Sequence, residues 1–404
     1  MWAHFWVAPL LALSWILAPT ASIDNATSQE VADASTSFSL ELLQTVLRER
    51  MGNVLTSPVS VSTLLAMLQQ GALGRTREQL SFVLHMSADR AREGYGHIVR
   101  SLKKRKTNSL VLEFGNKVYA KSDFEVAPEY KQILIRDFLS DVETADFLHP
   151  VQSASQINSW VANITHNRIP TILKPSDISE RTQMVLVNGI FLKGVWLTPF
   201  REENTSEKTF SPNPGVEIKV PMMHQTGKFR AGDDPNLGAK WVELPFDGEE
   251  FSMVLVLPNE KHGLDKLVSQ MKPQHLANML GTRGTKQVYL TLPRFKISTQ
   301  ISLVPILKKL GLEDIFNANS NLGGITTKGG TLTVSNIIQK AEIEINEKGG
   351  TASAATAVLV ATLSLVVDPD ELVFNANQPF LAIIVHRVNS VPLFAGRVSD
   401  PSVS

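Results

Sequence analysis

The chain has 404 residues, 43% of them hydrophobic and 19% charged, enough apolar material for one large core or two ordinary ones. Its 39 basic residues balance 39 acidic ones, so no global charge draws it to nucleic acid or to an acidic membrane surface. There is no cysteine, which excludes disulfides and thiol nucleophiles and leaves packing to hold the fold.

In chain order, MWAHFWVAPLLALSWILAPTAS carries an apolar run over about residues 5–17 and then small residues, the pattern of a secretory signal peptide spanning 1–22. It lacks Lys and Arg, so an N-terminal anchor is the competing reading. Asn25, Asn163 and Asn204 each open an Asn-x-Ser/Thr sequon, which fits secretion and predicts glycosylation at those sites. Residues 34–51 place Phe38, Leu42, Leu43, Val46 and Leu47 at helical spacing. Ser57 and Pro58 predict the cap and first turn of a second helix, and Thr76 with Gln79 reads as a capping box opening a third.

From residue 110 the period changes. Segments 110–120, 184–192, 251–257 and 288–292 read as strands, the second apolar on both faces and therefore central. Segments 156–173 and 301–312 read as helices, 331–345 as a long strand, and 380–386 and 391–396 as the last two strands. GITTKGG at 324–330 lacks the Lys-Ser/Thr of a phosphate loop and reads as a turn. With no repeat and no Gly/Ser-rich or Pro-rich linker, the pattern is one α+β domain over 23–404.

Enzyme signatures are missing. No two of the nine histidines form a local H-x-x-x-H pair, and there is no G-x-S-x-G elbow, so no metal, cofactor or catalytic residue is expected. Charge concentrates in Arg100, Lys103, Lys104, Arg105 and Lys106. Most such runs are solvated surface.

Roughly 28 residues between Asn346 and Phe374 belong to no clear element, and connections of that length are usually functional or disordered. From Gly349 to Val367 none is charged. Placed in a strand, Gly350, Ala352, Ala354, Thr356 and Val358 share one small or apolar face, and Thr351, Ser353, Ala355, Ala357 and Leu359 the other. Such a segment can slip between existing strands. A membrane span fits poorly, because Gly, Ser and Thr fill its first half and Asp368, Asp370 and Glu371 follow it. An ordinary buried strand or a flexible linker remains open on this segment alone.

Several separated motifs occur in order: NVLTSPVSVSTLLAMLQQGALGRTREQL at 53–80, INSWVANITHNRI at 157–169, LVNGIFLKGVWLTPF at 186–200, KVPMM at 219–223, KKLGLEDIF at 308–316, VSNIIQKAEIEINEKGG at 334–350 and QPFLAIIVHRVNSVPLFAGRV at 378–398. With these the chain resembles the serpin family from about residue 35 to its end, and FNANQPF looks closest to arthropod members. The resemblance implies the serpin fold, with three β-sheets, about nine helices and an exposed reactive-centre loop within 347–374. A serine protease cleaves that loop, forms an acyl-enzyme and is trapped as the loop inserts into the main sheet.

The resemblance also assigns residues. The hinge maps onto Glu347, Gly349, Gly350, Ala352, Ser353, Ala354 and Ala355, with Gly350 standing where threonine is usual. Counting fourteen from Gly349 puts the scissile bond at Leu363 and Ser364, with Leu365 and Val366 as fallback and Ala361 or Thr362 suiting an elastase. Leucine implies a protease with an apolar specificity pocket and disfavours trypsin-like targets. Ser57, Ser60, Asn188 and Gln339 match a hydrogen-bonded cluster beneath the main sheet, Gln339 replacing a common histidine, and Trp196 matches the tryptophan near the point where the loop enters the sheet. The basic run is a candidate glycosaminoglycan site. The expected protein is a secreted monomer with a protease partner and neither nucleic acid nor membrane. A non-inhibitory serpin acting as carrier, chaperone or binding protein is the alternative.

Overall fold

The computed structural model describes residues 25–104, 109–328, 331–349 and 371–403. The chain opens with helix α1 (Asn25–Glu49), strand β1 (Val54–Thr56) and helices α2 (Pro58–Gly71), α3 (Gly74–Leu84) and α4 (Ala88–Lys103). Strands β2 (Leu110–Lys121) and β3 (Glu125–Val126), helix α5 (Pro128–Phe138), strand β4 (Asp141–Ala145) and helix α6 (Pro150–Ile164) follow. Five strands come next: β5 (Met184–Gly194), β6 (Ser206–Asn213), β7 (Val216–Asp234), β8 (Ala239–Pro245) and β9 (Phe251–Pro258). Helices α7 (Leu264–Gln270) and α8 (Pro273–Gly281) lead to β10 (Lys286–Pro293), β11 (Phe295–Ser302) and helix α9 (Val304–Lys309). Strands β12 (Thr326–Lys328), β13 (Asn336–Ile345), β14 (Glu371–Asn375), β15 (Phe380–His386) and β16 (Val391–Val398) close the chain. Helices α2, α5, α6 and α8 start on proline, whose fixed φ and missing N–H suit a first turn.

Nine α-helices and three sheets thus lie among the described residues, as the resemblance implies. The largest sheet has nine strands, because β7 is long enough to pair with β6 and β10 at one end and with β8 at the other. A two-stranded sheet joins β12 to β3. The third sheet has five strands in the order β11, β13, β5, β2, β4. Its inner face, with Leu186, Ile190, Ile337 and Ile343, joins the main core. Its outer face, with Tyr119, Val185, Val187 and Ile338, forms a second core under α6.

Helix α6 sits on a pair of facing glycines. Gly115 of β2 and Gly189 of β5 are directly opposite. A Cβ on Gly115 would lie 2.5 Å from Ile164 Cδ1, and one on Gly189 3.0 Å from Val161 Cγ1. Beside them, nearly buried Lys117 pairs with Glu143 and lies 5.4 Å from the ring centre of Trp160.

Some local expectations need correcting. Helix α3 begins at Gly74, so Thr76 and Gln79 form no capping box. Thr76 Oγ1 instead accepts the Asn321 N–H, and Gln79 Oε1 accepts the N–H groups of Glu313 and Asp314, which ties a distant loop to the helix. Ser57 is the N-cap of α2 but its hydroxyl donates to Ser60, not to the helix backbone. The expected helix over 156–173 ends at Ile164, and His166 and Asn167 take positive φ. Ile169, Ile172 and Leu173 keep an apolar spacing because they fill the second core. Residues 301–302 finish strand β11, whose side chains alternate buried and exposed, before α9 begins. Residues 331–335 precede β13, the turn expected at 324–330 contains β12, and β14 lies within the stretch left unassigned.

Candidate functional site: a parallel seam and its hinge

Strands β5 and β13 are two of the three inner strands of the five-stranded sheet and run parallel, in register from Asn336 opposite Val185 to Ile343 opposite Leu192. A chain leaving the end of β13 and folding back between them would be antiparallel to both. One parallel ladder would then become two antiparallel ones, which are slightly more stable per residue. The segment that follows β13 has the small, uncharged sequence such a strand needs.

The hinge residues 346–349 are held over the open end of this seam. Gly349 has φ +95°, and a Cβ there would lie 2.2 Å from the Gly194 carbonyl oxygen, so both conformation and contact demand glycine. The Trp196 N–H donates to the Lys348 carbonyl at 3.0 Å and its indole Nε1–H to the Asn346 carbonyl at 3.0 Å. The buried indole stacks on Phe246 with ring centres 4.5 Å apart. The Phe200 N–H donates to the Glu347 carbonyl at 2.8 Å.

Glu347 itself is 4% exposed and accepts hydrogen bonds from Arg294 Nε at 2.6 Å and Thr205 Oγ1 at 2.5 Å. Burial would raise its pKa; the bonds from Arg294 and Thr205 and the Arg294 charge outweigh that and hold the carboxyl below its usual range. Lys348 Nζ lies 3.3 Å from Glu202 Oε1. Sequence reading found Trp196 and Glu347 but missed Arg294, Thr205, Phe200 and Glu202. Those four meet the hinge only through tertiary contacts across more than fifty positions of chain, and nothing in the surrounding sequence links them to it.

Lower in the seam, Asn116, Asn188 and Gln339 form a row across β2, β5 and β13. Gln339 Oε1 accepts Thr56 Oγ1–H at 2.9 Å and the Ser57 N–H at 2.8 Å, while its Nε2 donates to the Ser57 carbonyl at 3.0 Å and Asn188 Oδ1 at 2.9 Å. Asn188 Nδ2 donates to Gly115 O and Asn116 Oδ1. With Ser57 Oγ donating to Ser60 Oγ at 3.0 Å, the expected four residues meet in one buried cluster. The Gln339 amide supplies two donors and two acceptor positions, and the site uses all four. Its bond to Asn188 crosses the seam that insertion would open.

The other expected positions divide. Gly350, Ala352, Ser353, Ala354, Ala355, Ala361, Thr362, Leu363, Ser364, Leu365, Val366, Arg105, Lys106 and the segment 1–22 lie outside the described residues. Asn25, Asn163 and Asn204 are exposed. Arg100 donates to the Asp137 carbonyl and Lys103 lies over the Phe114 ring, so part of the basic run is engaged with the protein's own surface. Among the described residues no His/Asp/Glu cluster could hold a metal, and no helix is long and apolar enough to cross a membrane.

Comparison with known proteins agrees with this geometry. The family model described as Serpin (serine protease inhibitor) matches residues 33–401. Human Serpin B4 is 33% identical over 390 residues, 92% of this chain and 99% of that protein. Antichymotrypsin-2 of Bombyx mori is 34% identical over 372 residues, 91% of this chain and 98% of that protein. The crystal structure of Manduca sexta serpin-12 matches with a TM-score of 0.83 at 34% identity, covering 92% of this chain and 99% of that one. The family model over most of the chain and the fold shared with these relatives define the class of protein. The chain belongs to the serpin family.

Proposed function

We propose that the protein is a secreted, glycosylated inhibitor that traps a chymotrypsin- or elastase-like serine protease. The observation that carries this reading is the parallel seam between β5 and β13, with the hinge held at its open end and a strand's length of small, uncharged residues following it. The protease serine attacks the Leu363 carbonyl, the bond to Ser364 breaks, and the segment from Ser364 onward leaves as the amine. The shortened loop enters the seam before water reaches the acyl-enzyme ester. Its small, apolar positions face the core beside Ile337, Ala341 and Ile343, and its first polar positions face outward.

The apolar residues around 363–366 support a protease with an apolar specificity pocket, and the likeness to an antichymotrypsin points the same way. The apolar N-terminal run and the three exposed sequons support secretion. Incubation with chymotrypsin, elastase and trypsin, followed by denaturing electrophoresis and mass spectrometry, tests the reading. A complex that survives denaturation with chymotrypsin or elastase, together with a released peptide starting at Ser364, is the expected result. Clean cleavage of the loop by all three without any complex overturns it in favour of a non-inhibitory role.

A further inference from the structure

We propose that an N-linked glycan on Asn204 guards the seam against strands from other molecules; the proposal rests on the secreted, loop-inserting reading above. Asn204 ends the short 3-10 turn Glu202–Asn204 and is exposed. On one side Glu202 pairs with Lys348 of the hinge; on the other, Thr205, the middle residue of the sequon, donates its hydroxyl to Glu347. The modification point is therefore bracketed by two of the side-chain contacts that hold the hinge. The other two sequons lie elsewhere, Asn25 at the start of α1 and Asn163 near the end of α6.

A seam that accepts the chain's own strand presents the same unsatisfied preference to the equivalent strand of a second copy, the hazard of any exposed strand site. The two strands approach the seam by different routes. The protein's own loop sets out from residues 346–349, which the turn already holds through the Lys348–Glu202 and Thr205–Glu347 contacts. A foreign strand has to arrive over that turn, where a bulky, hydrated glycan excludes it. The glycan is attached when the Asn204 side-chain amide takes an oligosaccharide from a lipid-linked pyrophosphate donor. The C1–N bond forms, the C1–O bond to pyrophosphate breaks, and the amide proton passes to the transferase's base as the lipid pyrophosphate leaves.

The test compares glycoprotein from a secretory host with the Asn204→Gln, Ser206→Ala and Asn25→Gln variants. Both Asn204→Gln and Ser206→Ala remove the sequon while leaving Thr205 and Glu202 in place. Mass spectrometry reads occupancy, and light scattering with native electrophoresis reads the rate of self-association under mild heating. Occupied Asn204, several-fold faster self-association in both sequon variants, and no change in Asn25→Gln are expected. An unoccupied Asn204, or equal rates in all four proteins, overturns the proposal. The readout needs no protease, so a protein that fails to trap any protease yet shows the glycan effect removes the inhibitory reading and leaves this one standing.

Discussion

Glu347 brings a carboxylate into a site only 4% exposed and finds a guanidinium and a hydroxyl waiting there. Because these bonds favour the charged form, the folded state holds its proton less tightly than the unfolded chain does. The stabilisation is therefore present above the unfolded carboxyl pKa of about 4.3 and is lost as pH falls through the lower folded value. Replacing Glu347 by Gln keeps the shape and an acceptor oxygen for Arg294 and Thr205 but removes the charge that pairs with the guanidinium. Arg294 is 45% exposed and water recovers part of its hydrogen bonding, so the expected loss is about 1.5–3 kcal/mol at neutral pH. Thermal unfolding across pH 3–7 checks this: the gap between the two proteins is expected to be full at pH 7 and to shrink as the medium becomes acidic. A constant gap would mean that the loss comes from packing and not from the charge.

Among the elements, α6 has the most unusual seat. A helix can press this closely on a sheet only where side chains are missing, and the facing Gly115 and Gly189 supply that place. Gly115→Val would push against Ile164 and Trp160, and overpacking of this kind costs about 1–3 kcal/mol. Faster amide hydrogen exchange confined to α6 and the strands beneath it is the expected signature; unchanged protection of α6 would show that the glycines do not seat it. The same level shows what the sequence made legible. Strands 184–192 and 380–386 could be read because burial on both faces leaves each a nearly unbroken apolar run of strand length. The helix expected over 156–173 failed because Ile169, Ile172 and Leu173 satisfy a helical spacing while packing from an irregular segment. Thr76 and Gln79 had the right types for a cap, yet their oxygens serve backbone groups some 235 and more positions away. The buried cluster was legible through family motifs, and its amide replacement at Gln339 works because one side chain meets four partners.

At the scale of the whole molecule, the five-stranded sheet pairs β5 and β13, two of its three inner strands, in the less favourable parallel arrangement. Strand β13 has ten residues, and an added strand of about that length would form a ladder on each side in exchange for the one parallel ladder it displaces. At about 0.5–1.5 kcal/mol net for each added bond, the gain is on the order of 10 kcal/mol before burial of side chains is counted. On the proposed mechanism, insertion would break the Gln339 to Asn188 bond and the hinge contacts, so the barrier to it would be kinetic. Cutting the loop between 361 and 366 leaves more than ten residues attached to the hinge and removes the need to carry the far strand β14 along. The cut protein is therefore expected to be more stable than the intact one, although it has one covalent bond fewer. For a chain of this length a gain on the order of 10 kcal/mol corresponds to a rise of roughly 10–20 °C in melting temperature. Calorimetry before and after limited proteolysis, with the cut site fixed by mass spectrometry, measures it. A cut protein that melts at or below the intact one would show that the seam does not take the loop, and the inhibitory mechanism would fall with it.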